Sequence, residues 1–363
     1  AFVSQHIGDV EDADVSDAWF EAKSRFEKLF DFSDECSIVC DKHPEYLPSK
    51  WAKKHVVESE QVLEFDEVYH HHAHIVSAMA ENAIDEAVIG FSFDGTGFGA
   101  DGCIWGGEVL LSNLETYERV SNVAYFPLPS GAGAVKNPAR IAYGLLYSLD
   151  LLDEASDFVK SMGDEASACA SLIESGTNTP YTSSMGRLFD AISAICGVCT
   201  KPTYEGEAAI ALEAAMAGVD FSAYTPDVER YTFDVQKNSA TEHSTALDTS
   251  MFVIDPERAV RAVLEDVKNG VDAAVISRRF HDAVSRLVVL VSQICNQFYG
   301  IKKCVLAGGV WMNRYLCETT VIALSAQGFD VILNRELPPN DGGVSYGQAV
   351  VKCARNRAKA AEK

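Results

Sequence analysis

The hydrophobic pattern divides the chain into strand-rich ends and a helical middle. Residues 1–7 read as a strand, and residues 17–30 place apolar groups at helical spacing. The short apolar run 37–40 ends at Asp41-Lys42-His43-Pro44, a strand entering a turn. Residues 66–83 read as a helix carrying four histidines. A buried strand over 87–93 stops at a glycine-rich turn and 104–111 returns as a second strand, so the two predict a hairpin. Residues 131–138 read as a loop. Helices are then predicted over 139–150, 153–175, 183–196, 206–217, 255–269 and 272–298, interrupted by a strand-like stretch at 230–235. The chain closes as β-α-β-α: a strand at 303–307, a helix from Met312, a strand at 330–333 and a helix from Gly343. That order predicts an α/β protein of two lobes. One lobe is built from both chain ends, residues 1–135 plus 300–363; the other, mostly helical, comes from residues 136–299.

Length and charge narrow the partners. With 363 residues the chain exceeds what one core usually serves, about 250–300 residues. The formal net charge of -23 repels a phosphate backbone over most of the surface, which argues against nucleic acid. Lys352 to Lys363 is the one basic cluster, and it suits the end of a helix. No apolar run reaches the ~18 residues of a membrane helix. Ten cysteines scattered through mostly apolar segments read as reduced thiols in a cytoplasmic protein. The pair Cys196-Gly197-Val198-Cys199 lacks the second pair that a zinc ribbon needs. With no starting Met and no signal peptide, the chain is expected to begin inside a larger protein.

Five motifs carry candidate chemistry. In His70-His71-His72-Ala73-His74, positions i and i+4 share a helix face, so His70 and His74 can converge on one ion. A polar surface helix is the competing reading; His71 and His72 point elsewhere, as supporting or substrate groups. In Phe93-Asp94-Gly95-Thr96-Gly97-Phe98-Gly99, a buried strand delivers Asp94 to a turn. The bare backbone of Gly95, Thr96 and Gly97 can approach a phosphate, although a tight hairpin would use the same residues. Ala307-Gly308-Gly309 joins a strand to a helix N-terminus and suits a phosphate or nucleoside. Pro338-Pro339-Asn340-Asp341-Gly342-Gly343 puts Asp341 before the last helix, either as its cap or as a carboxylate completing a His₂-carboxylate set. Such a set suits iron, zinc or manganese. Asp190 and Glu205 could take ribose hydroxyls or be surface carboxylates. Lys136 and Arg140 could bind a phosphate or carbamoyl group or be solvated.

In their order and spacing these motifs resemble the C-terminal half of HypF-type carbamoyltransferases, which mature nickel–iron hydrogenases. The resemblance rests on Ser4-Gln-His-Ile-Gly-Asp9, Asp41-Lys-His-Pro-Glu-Tyr46, the histidine and glycine motifs above, and Ile104-Trp-Gly-Gly-Glu108. It continues through Phe126-Pro-Leu-Pro129, Ser183-Ser-Met-Gly-Arg-Leu-Phe-Asp-Ala191, Tyr204-Glu-Gly-Glu-Ala-Ala209 and Pro338 to Gly343. It implies a TsaD-like fold of the actin/hexokinase/Hsp70 superfamily, with two ribonuclease-H-like lobes around a nucleotide. It implies one iron or zinc ion at His70, His74, Asp94 and Asp341. Adenosine, as ATP, AMP or carbamoyl adenylate, would lie near Asp190, Glu205, Gly308, Gly309 and Asn313, and magnesium could accompany it.

The acylphosphatase, zinc-finger and YrdC-like parts of the family are absent from this sequence. In the family the YrdC-like domain makes carbamoyl adenylate. The module here would pass the carbamoyl group to the C-terminal cysteine of a HypE-type partner, with Arg140, Lys136 and His71 as candidate catalytic groups. The substrate loop departs from the family's Gly-Gly-Asp and Glu-Pro-Trp-Arg, reading Gly131-Ala132-Gly133 and Lys136-Asn137-Pro138-Ala139-Arg140; Arg140 is retained. Two competing expectations are a small-molecule O-carbamoyltransferase and a nucleotide-dependent interaction module.

Overall fold

The fold, from a computed structural model, covers residues 1–5, 7, 8, 10, 13–30, 36–58, 62–238 and 249–361. In chain order the first elements are α1 (Ala13–Leu29), β1 (Cys36–Asp41), α2 (Leu47–Glu58), β2 (Val62–Val68), α3 (His70–Glu81), β3 (Val88–Phe93), β4 (Gly107–Ser112), β5 (Tyr117–Val123) and β6 (Phe126–Pro127). The middle contains α4 (Ala132–Val135), α5 (Pro138–Ser148), α6 (Ser156–Ser161), α7 (Asp164–Ser175), β7 (Tyr181–Thr182), α8 (Met185–Ile195), α9 (Glu207–Ala214), β8 (Asp234–Lys237), β9 (Phe252–Asp255), α10 (Glu257–Lys268) and α11 (Ala273–Tyr299). The end is β10 (Lys303–Ala307), α12 (Arg314–Ala326), β11 (Asp330–Ile332) and α13 (Val344–Ala361).

Seven strands form one mixed sheet in the order β11-β10-β3-β4-β5-β9-β8. The β3–β4–β5 meander is antiparallel, β10 and β11 add in parallel on one side, and β9 pairs in parallel with β5 on the other. Helices cover both faces, which explains why β3 is buried along its whole length. Alternate β3 residues face opposite ways. Ile89, Phe91 and Phe93 join the core beneath α8, α10 and α11, whereas Val88 joins Ala73, Ile75, Met79, Val344 and Val351 of α3 and α13.

Several boundaries differ from the sequence pattern. Residues 1–5, 7 and 8 form no strand, and His6 and Asp9 of the first motif lie outside the described residues. The histidine helix begins at His70, because the residues before it form β2, parallel to β1. Charges at Glu64, Asp66 and Glu67 give that strand a helix-like polar pattern. The return strand starts at Gly107, since Ile104 makes only isolated bridges to Phe98 and Thr182. Gly163, at φ 58°, separates α6 from α7. The strand-like stretch at 230–235 lies upstream of most of β8 because Arg230 and Tyr231 turn aside to meet Asp266.

Two contacts hold the frame, one at the histidine helix and one among the helices on the other face of the sheet. First, α13 crosses α3 so closely that a Cβ on Gly347 would lie 1.9 Å from the Ala73 carbonyl oxygen. A methyl group there cannot be accommodated without moving α13 off the helix that carries His70 and His74. Gly347→Ala should therefore cost about 1–3 kcal/mol of stability, read as a lower urea midpoint with an unchanged slope. Second, Asp266 accepts from Arg230 Nη2 at 2.6 Å, from Tyr231 Oη at 2.8 Å and from Arg279. Burial pushes its carboxyl up, but these donors outweigh burial and hold it below the usual range. A carboxyl depressed by folding contributes stability that is complete above its unfolded value, ~3.9. That stability is lost as pH falls through the folded value. Asp266→Asn should lower stability at pH 7 by about 1–3 kcal/mol and flatten the acid limb of a stability–pH curve measured in urea.

Candidate metal and nucleotide site

The site forms where β3 ends. Asp94 is the first residue past the strand, and His70 is the first residue of α3, one turn before His74. The helix period places both rings on one side, 4.6 Å apart between centroids. Their Nε2 atoms lie 3.0 Å apart. Asp94 Oδ2 is 2.9 Å from His74 Nε2 and 3.6 Å from His70 Nε2. Asp341 arrives from the far end of the chain, with Oδ1 3.4 and 3.5 Å from the two nitrogens. It sits in a 3-10 turn, Asp341–Gly343, whose capping side chain is Asn340, so the Asp341 carboxylate is free to face the histidines.

These four donor atoms lie within 4.8 Å of one another. Zinc bonds of roughly 2.0–2.1 Å in a tetrahedron imply donor separations of about 3.3 Å. The five separations that involve a histidine nitrogen, 2.9–3.6 Å, bracket that value, so the residues fit a transition-metal ion. Their electrostatics fit as well. Burial opposes charge on both imidazoles, yet Asp341, Asp41 and Asp94 raise His70, and Asp341 and Asp94 raise His74. Asp94 and Asp341 are held low by the same pairs, against burial. The cluster draws positive charge to itself.

The other histidines separate in role. His72 Nε2 bonds to the Asn113 carbonyl oxygen at 2.9 Å, a packing contact. His71 is fully buried, and burial with the neighbouring His70 keeps it neutral. Its Nε2 is 3.9 Å from Glu108 Oε2, and neither ring nitrogen has a hydrogen-bond partner. Gly97 must be bare here, since a Cβ would lie 2.3 Å from His71 Cε1.

A second group flanks the glycine turn. Arg187 of α8 is buried, with Nε 3.2 Å from Asp190 Oδ2 and Nη2 3.6 Å from Glu205 Oε1. It draws together the two carboxylates read from sequence as ribose candidates and faces Gly95, where a Cβ would lie 2.7 Å from Nη2. Burial raises the Asp190 carboxyl. Gly95 already donates its N–H to Asp94 Oδ1 at 2.8 Å, and Thr96 is exposed. Gly308 packs on the Phe93 carbonyl and Gly309 on Asp94 Oδ1, which links the two glycine motifs. Asn313 caps α12 through Leu316 N and contacts His281 Nε2 at 2.8 Å. Arg140 donates to Glu165 Oε2 at 2.7 Å, and Lys136 is exposed at the end of α4. Among the described residues no hydrogen bond or ion pair joins either of them to the His–Asp cluster.

Beneath the turn lies a buried network that sequence reasoning missed. Glu108 accepts from Arg119 Nη2 at 2.9 Å, from Ser183 Oγ at 2.5 Å and from Gly106 N at 2.5 Å. The Gly106 carbonyl in turn accepts from Asp94 N at 2.7 Å. Arg119 stacks 4.0 Å above Trp105, and Asp101 accepts from both Trp105 and Tyr125. Arg119, Arg187, Asp101 and Asp41 had no signal in the sequence beyond the motifs that contain or surround some of them.

The sheet, the glycine turns and the His₂-carboxylate cluster define a Kae1-like α/β domain with a candidate metal site at the end of β3. Two family models cover most of the chain: the HypF Kae1-like domain at residues 1–81 and the carbamoyltransferase Kae1-like domain, second subdomain, at residues 90–348. The chain belongs to the HypF carbamoyltransferase family. It is 33% identical over 369 residues to carbamoyltransferase HypF of Synechocystis, covering 97% of this chain and 44% of that one. A HypF homolog of Cupriavidus necator is 32% identical over 87% of this chain and 77% of its own. The chain thus spans about half the length of some curated relatives and most of another. A crystal structure of full-length HypF in the phosphate- and nucleotide-bound form superimposes with a TM-score of 0.86 at 37% identity, over 97% of this chain and 51% of that one. The two-lobed, TsaD-like fold expected from the sequence is therefore the fold of this chain.

The Glu108–Arg119 pair yields a prediction. Removing the cation strands a buried carboxylate, so Arg119→Met should cost about 3–5 kcal/mol. Changing both partners, to Glu108→Gln with Arg119→Met, should recover part of that loss in chemical denaturation.

Proposed function

We propose that this chain performs the carbamoyl-transfer step of nickel–iron hydrogenase maturation. It would take the carbamoyl group from carbamoyl adenylate and pass it to the C-terminal cysteine of a HypE-type acceptor. The convergence of His70, His74, Asp94 and Asp341 at the end of β3, in a HypF-family chain, is the observation that carries this reading. The acceptor thiolate attacks the carbamoyl carbon, the bond from that carbon to the phosphate oxygen breaks, and AMP leaves with the electron pair. An iron or zinc ion held by the four donors would supply Lewis-acid polarisation of the carbonyl.

The remaining roles follow the chemistry of each side chain. Asp190 and Glu205, drawn together by Arg187, suit ribose hydroxyls. The turn Gly95-Thr96-Gly97 borders the phosphate, with magnesium an optional companion, and Gly308, Gly309 and Asn313 border the nucleoside. His71, neutral and without a hydrogen-bond partner, suits a contact to the carbamoyl group. Lys136 and Arg140 suit a later approach of phosphate or carbamoyl oxygen, which would require Arg140 to leave Glu165. Carbamoyl adenylate would come from a YrdC-like domain, in the same polypeptide or a separate one, in the cytoplasm. The 1–135 plus 300–363 and 136–299 division remains our assignment of the two lobes.

His74→Ala removes a donor without touching the sheet. Elemental analysis of protein purified without oxygen should show the ion lost. Transfer from supplied carbamoyl adenylate should fall at least about 100-fold, equivalent to losing roughly 3 kcal/mol of charge stabilisation. Full transfer by metal-free His74→Ala protein overturns the proposal.

A further inference from the structure

The four donors account for one nitrogen of His70. The other, Nδ1, faces Asp41 Oδ2 at 3.2 Å, on the side of the ring away from Asp94 and Asp341. A carboxylate only accepts, so the shared hydrogen belongs to His70 Nδ1, which leaves the lone pair on Nε2 aimed at the cluster. Asp41 is buried, and its other oxygens are engaged. Its Oδ1 accepts from His43 N at 2.8 Å, its carbonyl accepts from Ser49 Oγ at 2.8 Å, and Gln348 Nε2 of α13 approaches Oδ2 at 3.4 Å. The turn that follows is clamped as well: His43 stacks on Tyr46 at 4.0 Å and meets Phe98 of the glycine turn edge-on at 5.3 Å. Asp41 therefore belongs to none of the elements that supply the donors, yet is fixed against one of them.

We infer that Asp41 is a positioning residue for the metal centre. It sets the tautomer and ring orientation of His70 from outside the donor set, and couples the centre to the small β1–β2 sheet. This rests on the reading that the His–Asp cluster holds a metal ion. Partners of this kind, when removed, usually weaken metal binding 10–100-fold. Asp41→Asn keeps the size and one acceptor oxygen but loses the charge; Asp41→Ala loses both.

The test is zinc affinity of the full chain, by competition with a chromophoric chelator. It is paired with long-range proton–nitrogen NMR of the zinc-loaded, histidine-labelled wild type and with urea unfolding of all three metal-free proteins. Wild type should bind one ion, Asp41→Asn about 10-fold more weakly, and Asp41→Ala approaching 100-fold more weakly, with similar urea midpoints. The His70 signals should show hydrogen on Nδ1 and metal on Nε2. Equal affinities in all three proteins, or His70 bound through Nδ1, overturn the inference even if a variant folds poorly, because the NMR measurement needs only wild type. Failure of wild type to bind zinc overturns it together with the metal reading. Asp41-dependent zinc binding in a protein inert towards carbamoyl adenylate supports it and overturns only the transfer reaction.

Discussion

Four electron-rich atoms held around one point constrain the rest of the cleft. His70 Nε2, His74 Nε2, Asp94 Oδ2 and Asp341 Oδ1 lie within contact distance, and three of the four residues are buried. In such surroundings repulsion between carboxylates and lone pairs is weakly screened. Only positive charge, as protons on the imidazoles or as a cation, reconciles them, and for that reason the carboxylates raise both imidazoles against burial. The fold invests heavily in holding them there. A sheet covered on both faces fixes the end of β3, the bare Cα of Gly347 lets α13 dock on α3, and Glu108 braces the backbone of Asp94 through Gly106.

The same constraint separates local from global electrostatics. At a formal charge of -23 the chain repels an anionic nucleotide at long range. That field is damped beyond about 8 Å at physiological ionic strength, so short-range donors must decide binding. Beside the glycine turn the buried Arg187 is already shared by Asp190 and Glu205, and Arg119 beneath it is taken by Glu108. Two carboxylates with one guanidinium make an edge that accepts hydroxyl hydrogens better than it binds phosphate. The division of labour proposed for the ribose follows from this charge count.

Much of this was legible in the sequence, unevenly. The i, i+4 spacing of His70 and His74 is a local property of a helix, and the structure places them as read. Asp94 was legible because a continuous apolar strand has to end somewhere, and a charged residue at its end must face a cleft. Asp341 was ambiguous with a cap until Asn340 proved to take that role. β2 escaped because its charges mimic a helical pattern, β5 because Glu118, Arg119, Ser121 and Asn122 interrupt its apolar pattern, and β9 because a short strand inside a sheet is defined by its partners. Arg119 meets Glu108, Arg187 meets Glu205 and Asp41 meets His70 beyond the reach of a helix turn, and no periodicity records which carboxylate or imidazole a side chain will meet. The glycines were read as ligand contacts, yet at 97 and 308 the protein's own ring and backbone atoms already crowd the space a side chain would need. Their presence testifies first to packing.

The cluster is also asymmetric in exposure, and that bears on what it is for. His70, His74 and Asp94 are buried, whereas the Asp341 side chain is 73% exposed. A structural ion is enclosed by its ligands; an ion that works on substrates keeps an open position. The open side here is bounded by the loop that carries Asp341 and by the glycine turn, the edge shared with Arg187, Asp190 and Glu205. A nucleotide resting on that edge would bring its reactive end to the accessible side of the cluster. The exposed donor is thus the one whose coordination can adjust without disturbing the buried three.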